Sequence, residues 1–309
     1  MLFVKELISY IIISLLFFKI FYKYISKFII DRPVNRSSHF ENVPTSAGIV
    51  FLLIHIIYVF LNKNYSLLFL IPTGILGFFD DLFNIRQIYR LVIQSINICL
   101  LCIFLVNFDI FSSLQFSNLI VFFLLLIIGL SLINLINFMD GIDGLVASNM
   151  FLILLNYSLS NNLSLIGIPI VLFVFLFYNW SPAKLFMGDS GSTFLGLVLF
   201  YIAFSQNDLQ SSLLLIATAS PMLMDSTICI LRRLNNKENI FYPHKKHLYQ
   251  RLNQNGMSHQ KVSIIYSIST LILILFSHTN NLIIMSSLIC LLFFIGMFLE
   301  KYYAKPFNY

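Results

Sequence analysis

The sequence predicts an all-α, polytopic integral membrane protein of about eleven transmembrane helices, its N-terminus outside and its C-terminus cytoplasmic. Three observations predict it. Of 309 residues, 59% are hydrophobic and only 10% charged, against roughly a quarter charged in a soluble domain. The apolar residues gather in runs approaching the roughly 20 residues that a spanning helix requires. Lys and Arg collect almost entirely on one side of the resulting map, as cytoplasmic loops do.

The runs follow in order at 6–26, 47–62, 66–79, 88–107, 118–137, 144–159, 164–180, 192–205, 211–231, 261–277 and 280–299. The first carries Lys19, Lys23 and Lys27 at its end and lacks a small-residue cleavage site. It reads as a retained helix rather than a removed signal peptide. The third and eighth runs are the weakest and border polar motifs, where membrane helices shorten around a site. Length leaves room for one transmembrane domain, 1–309, with a single long inner loop, 232–261, contributing to any site.

With the N-terminus outside, only Lys5 and Lys63 among the 19 basic residues fall on the outer side. The inner side also takes Asp31, Asp80, Asp81, Asp140, Asp143, Asp189 and Asp225, with His39, His244, His247 and His259. The formal net charge of +6 is scattered through short loops, so membrane orientation explains it and nucleic-acid binding does not. Cys99, Cys102, Cys229 and Cys290 all lie in apolar runs, which makes them plain helix residues, since thiol chemistry needs a polar, accessible setting.

Four polar runs interrupt this apolar background. In GFFDDLFNIRQIYRL, Asp80 and Asp81 stand adjacent at a helix end, an arrangement tolerable in a low dielectric only beside cations such as Arg86 and Arg90. In NLINFMDGIDGL, helical spacing puts Asn137, Asp140 and Asp143 on one face, whereas Gly141 and Gly144 argue for a broken helix with backbone free to approach a ligand. In NWSPAKLFMGDSGSTFLG, Asp189 sits beside hydroxyl and backbone donors at a helix start, which suits a hard cation bridging phosphates. The inner loop holds PHKKHLYQRL, a basic lid for a nucleotide diphosphate or a patch for anionic headgroups. Zinc on His244 and His247 is not expected, because no neighbouring cysteine completes a tetrahedral set.

Taken together and in order, these runs resemble the polyprenyl-phosphate N-acetylhexosamine-1-phosphate transferase family, with DRPVNRSSHFENVPTSAG preceding them in the first inner loop. The resemblance implies an undecaprenyl phosphate acceptor, a UDP-N-acetylhexosamine donor, and a Mg2+ or Mn2+ cofactor at the cytoplasmic face of the inner (plasma) membrane. It implies Asp189 as metal ligand and Phe186 as the aromatic against uracil. It further implies Asp80 and Asp81 on the acceptor side, Asn137, Asp140 and Asp143 on the donor side, and His244 and His247 in contact with the donor. Arg86, Arg90, Asn179 and Lys184 complete the expected substrate contacts, and the chain is expected to be a magnesium-dependent phosphoglycosyltransferase.

The loop reads HKKHLYQ rather than a run of consecutive histidines, which favours members that begin O-antigen, lipopolysaccharide or related surface glycans over the phospho-N-acetylmuramoyl-pentapeptide transferases. A homodimer remains open as an assembly. The rival from another class is a multi-pass transporter, whose acids would lie near the midplane between internal repeats. Neither feature is found here.

Overall fold

The computed structural model describes residues 2–25, 27–33, 41–105, 116–160, 163–206, 208–240, 242 and 244–307. Helices form at each apolar run: α1 (Leu2–Ile20), α2 (Gly48–Asn62), α3 (Ile71–Phe83), α4 (Gln87–Leu105), α5 (Phe116–Phe138), α6 (Leu145–Ser160), α7 (Gly167–Asn179), α8 (Gly188–Phe204), α9 (Leu209–Thr218), α10 (Ser220–Asn235), α12 (His259–Ser277) and α13 (Leu282–Tyr303). A short α11 (Leu248–Gln254) lies between α10 and α12. Five helical stretches are long and apolar enough to cross a membrane, or six if the bent pair α9 and α10 counts as one span. The ends of the expected runs at 26, 106 and 107 lie outside the described residues, as do Asp109 and residues 34–40 of the first inner loop.

The structure departs from the expected elements in three places. The run expected as one helix over 211–231 is two, α9 and α10, bent by 77°. Pro221 stands at the first turn of α10, and a proline has no N–H for the preceding turn and clashes with it, so the chain breaks at Ala219. The inner loop contains α11, seven residues long, which its mixed polarity conceals. The first inner loop also forms a two-residue antiparallel ladder, β1 (Ile30–Asp31) against β2 (Val43–Pro44), so the architecture is helical except for this clip.

Helix α8 is the centre of the molecule. Phe194, Leu195, Leu197, Val198, Leu199 and Phe200 are all fully buried, as a helix apolar all round must be, and α2, α3, α5 and α9 pack around it. In lipid such packing is driven by van der Waals fit and interhelical hydrogen bonds, since the tails are as apolar as the helices. Matching polar pairs tie neighbours together: Asn97 Nδ2 donates to Thr73 Oγ1 at 2.7 Å and Thr270 Oγ1 to Asn149 Oδ1 at 2.7 Å. By contrast α13 is largely exposed along its length. The N-terminus of α8, the C-termini of α3 and α5 and the loop carrying α11 all meet at one end of the bundle.

Candidate active site

The site is assembled around the first turn of α8. Gly77 on α3 has no side chain because there is no room for one: a Cβ there would lie 2.3 Å from the Asp189 carbonyl oxygen. This close approach carries the end of α3 onto the start of α8. Asp81 then accepts from the Asp189 N–H at 2.9 Å, the Ser190 N–H at 3.4 Å and the Ser46 hydroxyl at 2.7 Å. A carboxylate from one helix thus caps the orphan N–H groups and positive end of another. Gly188, at φ +69°, sits where a Cβ would strike the Asp81 Oδ2 at 2.4 Å.

The adjacent Asp80 is engaged differently. It accepts from the Ile85 N–H at 2.7 Å and pairs with the Arg90 guanidinium, which lies 2.9 Å from Asp189 as well. Asn137 Nδ2 donates to Asp189 at 2.8 Å and to Ser192 Oγ at 2.8 Å, orienting its own carbonyl oxygen away from those acceptors. Arg90 is therefore the direct cationic link between the α3 and α8 carboxylates among the described residues.

Helix α5 ends at Phe138, and 139–144 is a series of turns closed by Gly144 at φ +75°. The broken-helix alternative is the one adopted, and it parts the two carboxylates that a continuous helix would align. Asp140 is half-buried in the cavity wall. Burial, with Asp189, Asp81 and Asp143 nearby, pushes its carboxyl well above the usual carboxylate range, and no hydrogen bond among the described residues offsets this. Asp143 behaves oppositely. Burial alone raises its carboxyl, but His259 Nδ1 at 3.1 Å and the Ala183 N–H at 3.1 Å outweigh that and hold it below the ordinary value.

The loop before α11 forms a roof. Asp225, on α10, accepts from the N–H groups of Leu248 at 2.7 Å and Tyr249 at 3.0 Å and from the Tyr266 hydroxyl at 2.7 Å, so it caps α11 and fixes it to α10 and α12. Tyr249 in turn donates to the Phe138 carbonyl at 3.0 Å, tying roof to floor. His244 and His247 stack with ring centres 4.9 Å apart. Burial and Arg233 push both imidazoles down to about 3, His247 adding to the effect on His244 and Arg251 to that on His247, so both are neutral near pH 7. Below them lies a cavity of about 900 Å3, walled by six aspartates (Asp31, Asp80, Asp81, Asp140, Asp143 and Asp189) and by Arg90, Phe186 and the two histidines.

Two expected contacts, Arg86 and Lys184, are not brought to the cavity wall, and a third, Asn179, reaches it in another role. Arg86 is exposed beside α4 and outside the lining, its carbonyl receiving the Tyr89 N–H at 3.0 Å. Lys184 is also exposed and outside the lining, held by its backbone N–H to the Tyr178 carbonyl at 2.7 Å. Asn179 touches the cavity but spends its amide on structure, accepting from the Gly144 N–H at 3.0 Å and donating to the Leu185 carbonyl at 2.9 Å. Conversely, reading motifs alone missed His259 and Asp225. A buried carboxylate within an apolar helix is the signal that marks Asp225 in retrospect. The expectation that no cysteine reaches the histidine pair also fails, because α10 carries Cys229 to it.

A family model described as glycosyl transferase family 4 matches residues 63–207, the span that holds α3, α5 and the start of α8. An undecaprenyl-phosphate α-N-acetylglucosaminyl 1-phosphate transferase of Thermotoga maritima is 30% identical over 224 residues, 71% of each chain. The chain belongs to this glycosyl transferase family. A probable undecaprenyl-phosphate N-acetylglucosaminyl 1-phosphate transferase of Bacillus subtilis is 37% identical over 162 residues, 45% of this chain and 44% of the relative, so that match spans less than half of either protein. A phospho-N-acetylmuramoyl-pentapeptide-transferase of Dictyoglomus turgidum is 32% identical over 197 residues, 56% of this chain and 63% of the relative. Every polar motif of the family resemblance that falls on described residues borders or braces this cavity. Asp80 and Asp81 stand near the end of α3, Asp140 and Asp143 in the turns after α5, and Asp189 at the start of α8, whereas Asp225 lies within α10 and braces α11.

Proposed function

We propose that the chain transfers an N-acetylated amino-sugar 1-phosphate from a UDP-sugar to undecaprenyl phosphate, releasing UMP as the first membrane step of a cell-surface glycan. The observation that carries this reading is the aspartate-walled cavity at one end of the bundle, with one arginine poised between two of its carboxylates. In support, the Thermotoga and Bacillus relatives are named for transfer to undecaprenyl phosphate. The loop HKKHLYQ and these two relatives favour N-acetylhexosamine over the peptide-bearing donor of peptidoglycan synthesis. O-antigen or related lipopolysaccharide pathways are the branch this loop favours.

Beside the five long apolar stretches, six with the bent pair, stand five shorter apolar helices; were each of these to cross with the N-terminus outside, the cavity would open at the cytoplasmic face of the plasma (inner) membrane. That orientation rests on the basic residues, which then lie almost all inside. It lets an isoprenoid stay in the bilayer while its phosphate meets a water-soluble donor.

In the reaction, an oxygen of the lipid phosphate forms a bond to the phosphorus attached to the sugar, and the bond from that phosphorus to the bridging oxygen breaks, leaving UMP. Phosphoryl transfer requires mainly alignment and charge stabilisation. Arg90 would leave its carboxylate partners to hold the lipid phosphate beside Asp80, and Asp140, with its raised affinity for a proton, would take any proton remaining on the attacking phosphate. Asp81 acts by fixing α8 against α3. Asp143 and His259 set the floor, Phe186 offers a flat face to uracil, and the two histidines roof the diphosphate.

The lining fits a hard divalent cation, which takes one or two carboxylates together with substrate phosphate oxygens: Asp189 offers such a carboxylate, and the cavity is walled by six aspartates against one arginine. Asp189 would hold magnesium or manganese, which when bound supplies positive charge to the diphosphate. The test is donor β-phosphate labelled with 32P. With undecaprenyl phosphate present, label should move into the organic phase while UMP appears in the aqueous phase. Release of UDP, or UMP formation independent of the lipid, would overturn the reading.

A further inference from the structure

The roof contains a second donor cluster, chemically unlike the aspartate cavity. The Cys229 sulfur and one nitrogen each of His244 and His247 lie within 4.8 Å of one another. They come from two elements, the last turns of α10 and the loop before α11. Cys229 and His247 are each only 3% exposed. The His247 Nδ1 is fully buried and has no hydrogen-bond partner, the nearest carboxylate oxygen, on Asp225, being 3.8 Å away. A buried ring nitrogen without a partner is an unmet demand of the kind that folded proteins rarely leave standing. At His244, the Lys246 N–H occupies Nδ1 at 3.2 Å, so Nε2 is the nitrogen left for a ligand.

We propose that Cys229, His244 and His247 form a zinc site that pins the cavity roof to α10. One sulfur and two imidazoles are the soft and intermediate donors that zinc selects, whereas magnesium requires oxygen. Bond lengths of about 2.3 Å to sulfur and 2.0–2.1 Å to nitrogen place tetrahedral ligands about 3.4–3.6 Å apart, so side-chain rotations of about 1 Å bring the three into range. On binding, the Cys229 thiol gives its proton to solvent and the thiolate joins two neutral nitrogens. A water from the cavity that both histidines line completes the tetrahedron. The site is independent of the transferase reading: the cluster could hold zinc in a chain that transferred nothing, and the reverse.

The experiment uses the full-length protein in detergent, stripped with chelator and titrated with Co2+ in the absence of substrates. One equivalent should give the intense thiolate-to-cobalt charge-transfer absorption of a tetrahedral site, and Zn2+ should bleach it. Cobalt on the aspartates gives no sulfur band, so the two sites are read separately. Cys229→Ser should remove the charge-transfer band, and His247→Ala should weaken zinc binding by more than about 10-fold. Absence of the band in the wild type, or its persistence in Cys229→Ser through another cysteine, overturns the site. Zinc X-ray absorption on the zinc-loaded wild type guards against a variant that fails to fold: one sulfur and two imidazole nitrogens support the assignment, and a shell without sulfur contradicts it.

Discussion

Substituting alanine for Gly77 tests how the two acidic motifs are held together. The new Cβ would lie 2.3 Å from the Asp189 carbonyl oxygen, 2.5 Å from its carbon and 2.6 Å from the Ser190 nitrogen. All three are backbone atoms, so no side chain can swing aside. Restoring ordinary contact requires α3 and α8 to part by about 1 Å, an overpacking strain of about 1–3 kcal/mol. The separation also stretches the Asp81 contacts at 2.9 and 3.4 Å and opens the distance that Arg90 spans. A displacement of about 1 Å in a preorganised site lowers turnover by about 100-fold. The assay is UMP release in detergent, with thermal unfolding measured in parallel. Gly296→Ala is the control: its nearest neighbour, the Leu248 Cδ2, is 3.9 Å away, and alanine in a helix is favoured by up to about 1 kcal/mol. If Gly77→Ala turned over like Gly296→Ala, the close approach would not govern the geometry of the site.

Other substitutions probe separate parts of the account. Arg90→Ala should raise the KM for lipid phosphate at least about 10-fold, the scale of a lost charge-assisted contact, with a smaller effect on the donor; initial rates against each substrate decide it. Asp140→Asn should reduce kcat by about 100-fold or more while the unfolding temperature holds or rises, because a buried carboxylate with raised pKa is replaced by a neutral isostere; a large loss of stability would contradict its free placement. His247, held near a pKa of about 3 against about 6.5 when unfolded, leaves the folded state with fewer protons. Its contribution is complete above pH 6.5 and declines as pH falls from there towards 3, by about 1.4 kcal/mol per unit. Unfolding in metal-free detergent at pH 7.5 and 5.5 should show this decline, and His247→Gln should flatten it.

Helix positions were legible because lipid imposes continuous apolar runs, and α2, α6 and α12 begin within two residues of their expected starts. The 77° break at Ala219 was not, since the run 211–231 carries on past Pro221 and a proline within a membrane helix is tolerated without dictating a bend. Residues that share the cavity were mostly legible: Asp80, Asp81, Asp140, Asp189 and the histidines are unaffordable in an apolar setting without a task. What spacing could not divide was their work. Asp81 caps a helix from another helix and Asp80 pairs with Arg90, a distinction fixed by tertiary contact between identical neighbours. Arg86 and Lys184 lie outside the cavity lining, because a cation near an acidic motif in sequence need not turn towards it. His259, more than 100 residues from Asp143, entered only through the packing of α12 against α6.

In the proposed reaction a divalent ion held by Asp189 would meet the donor diphosphate in the aspartate cavity. Manganese bound to the purified protein with UDP-N-acetylglucosamine can be examined by electron–nuclear double resonance. Phosphorus couplings from the diphosphate should appear in the wild type and vanish in Asp189→Asn. Couplings that persist undiminished in that variant, or manganese that binds without sensing phosphorus, would contradict it.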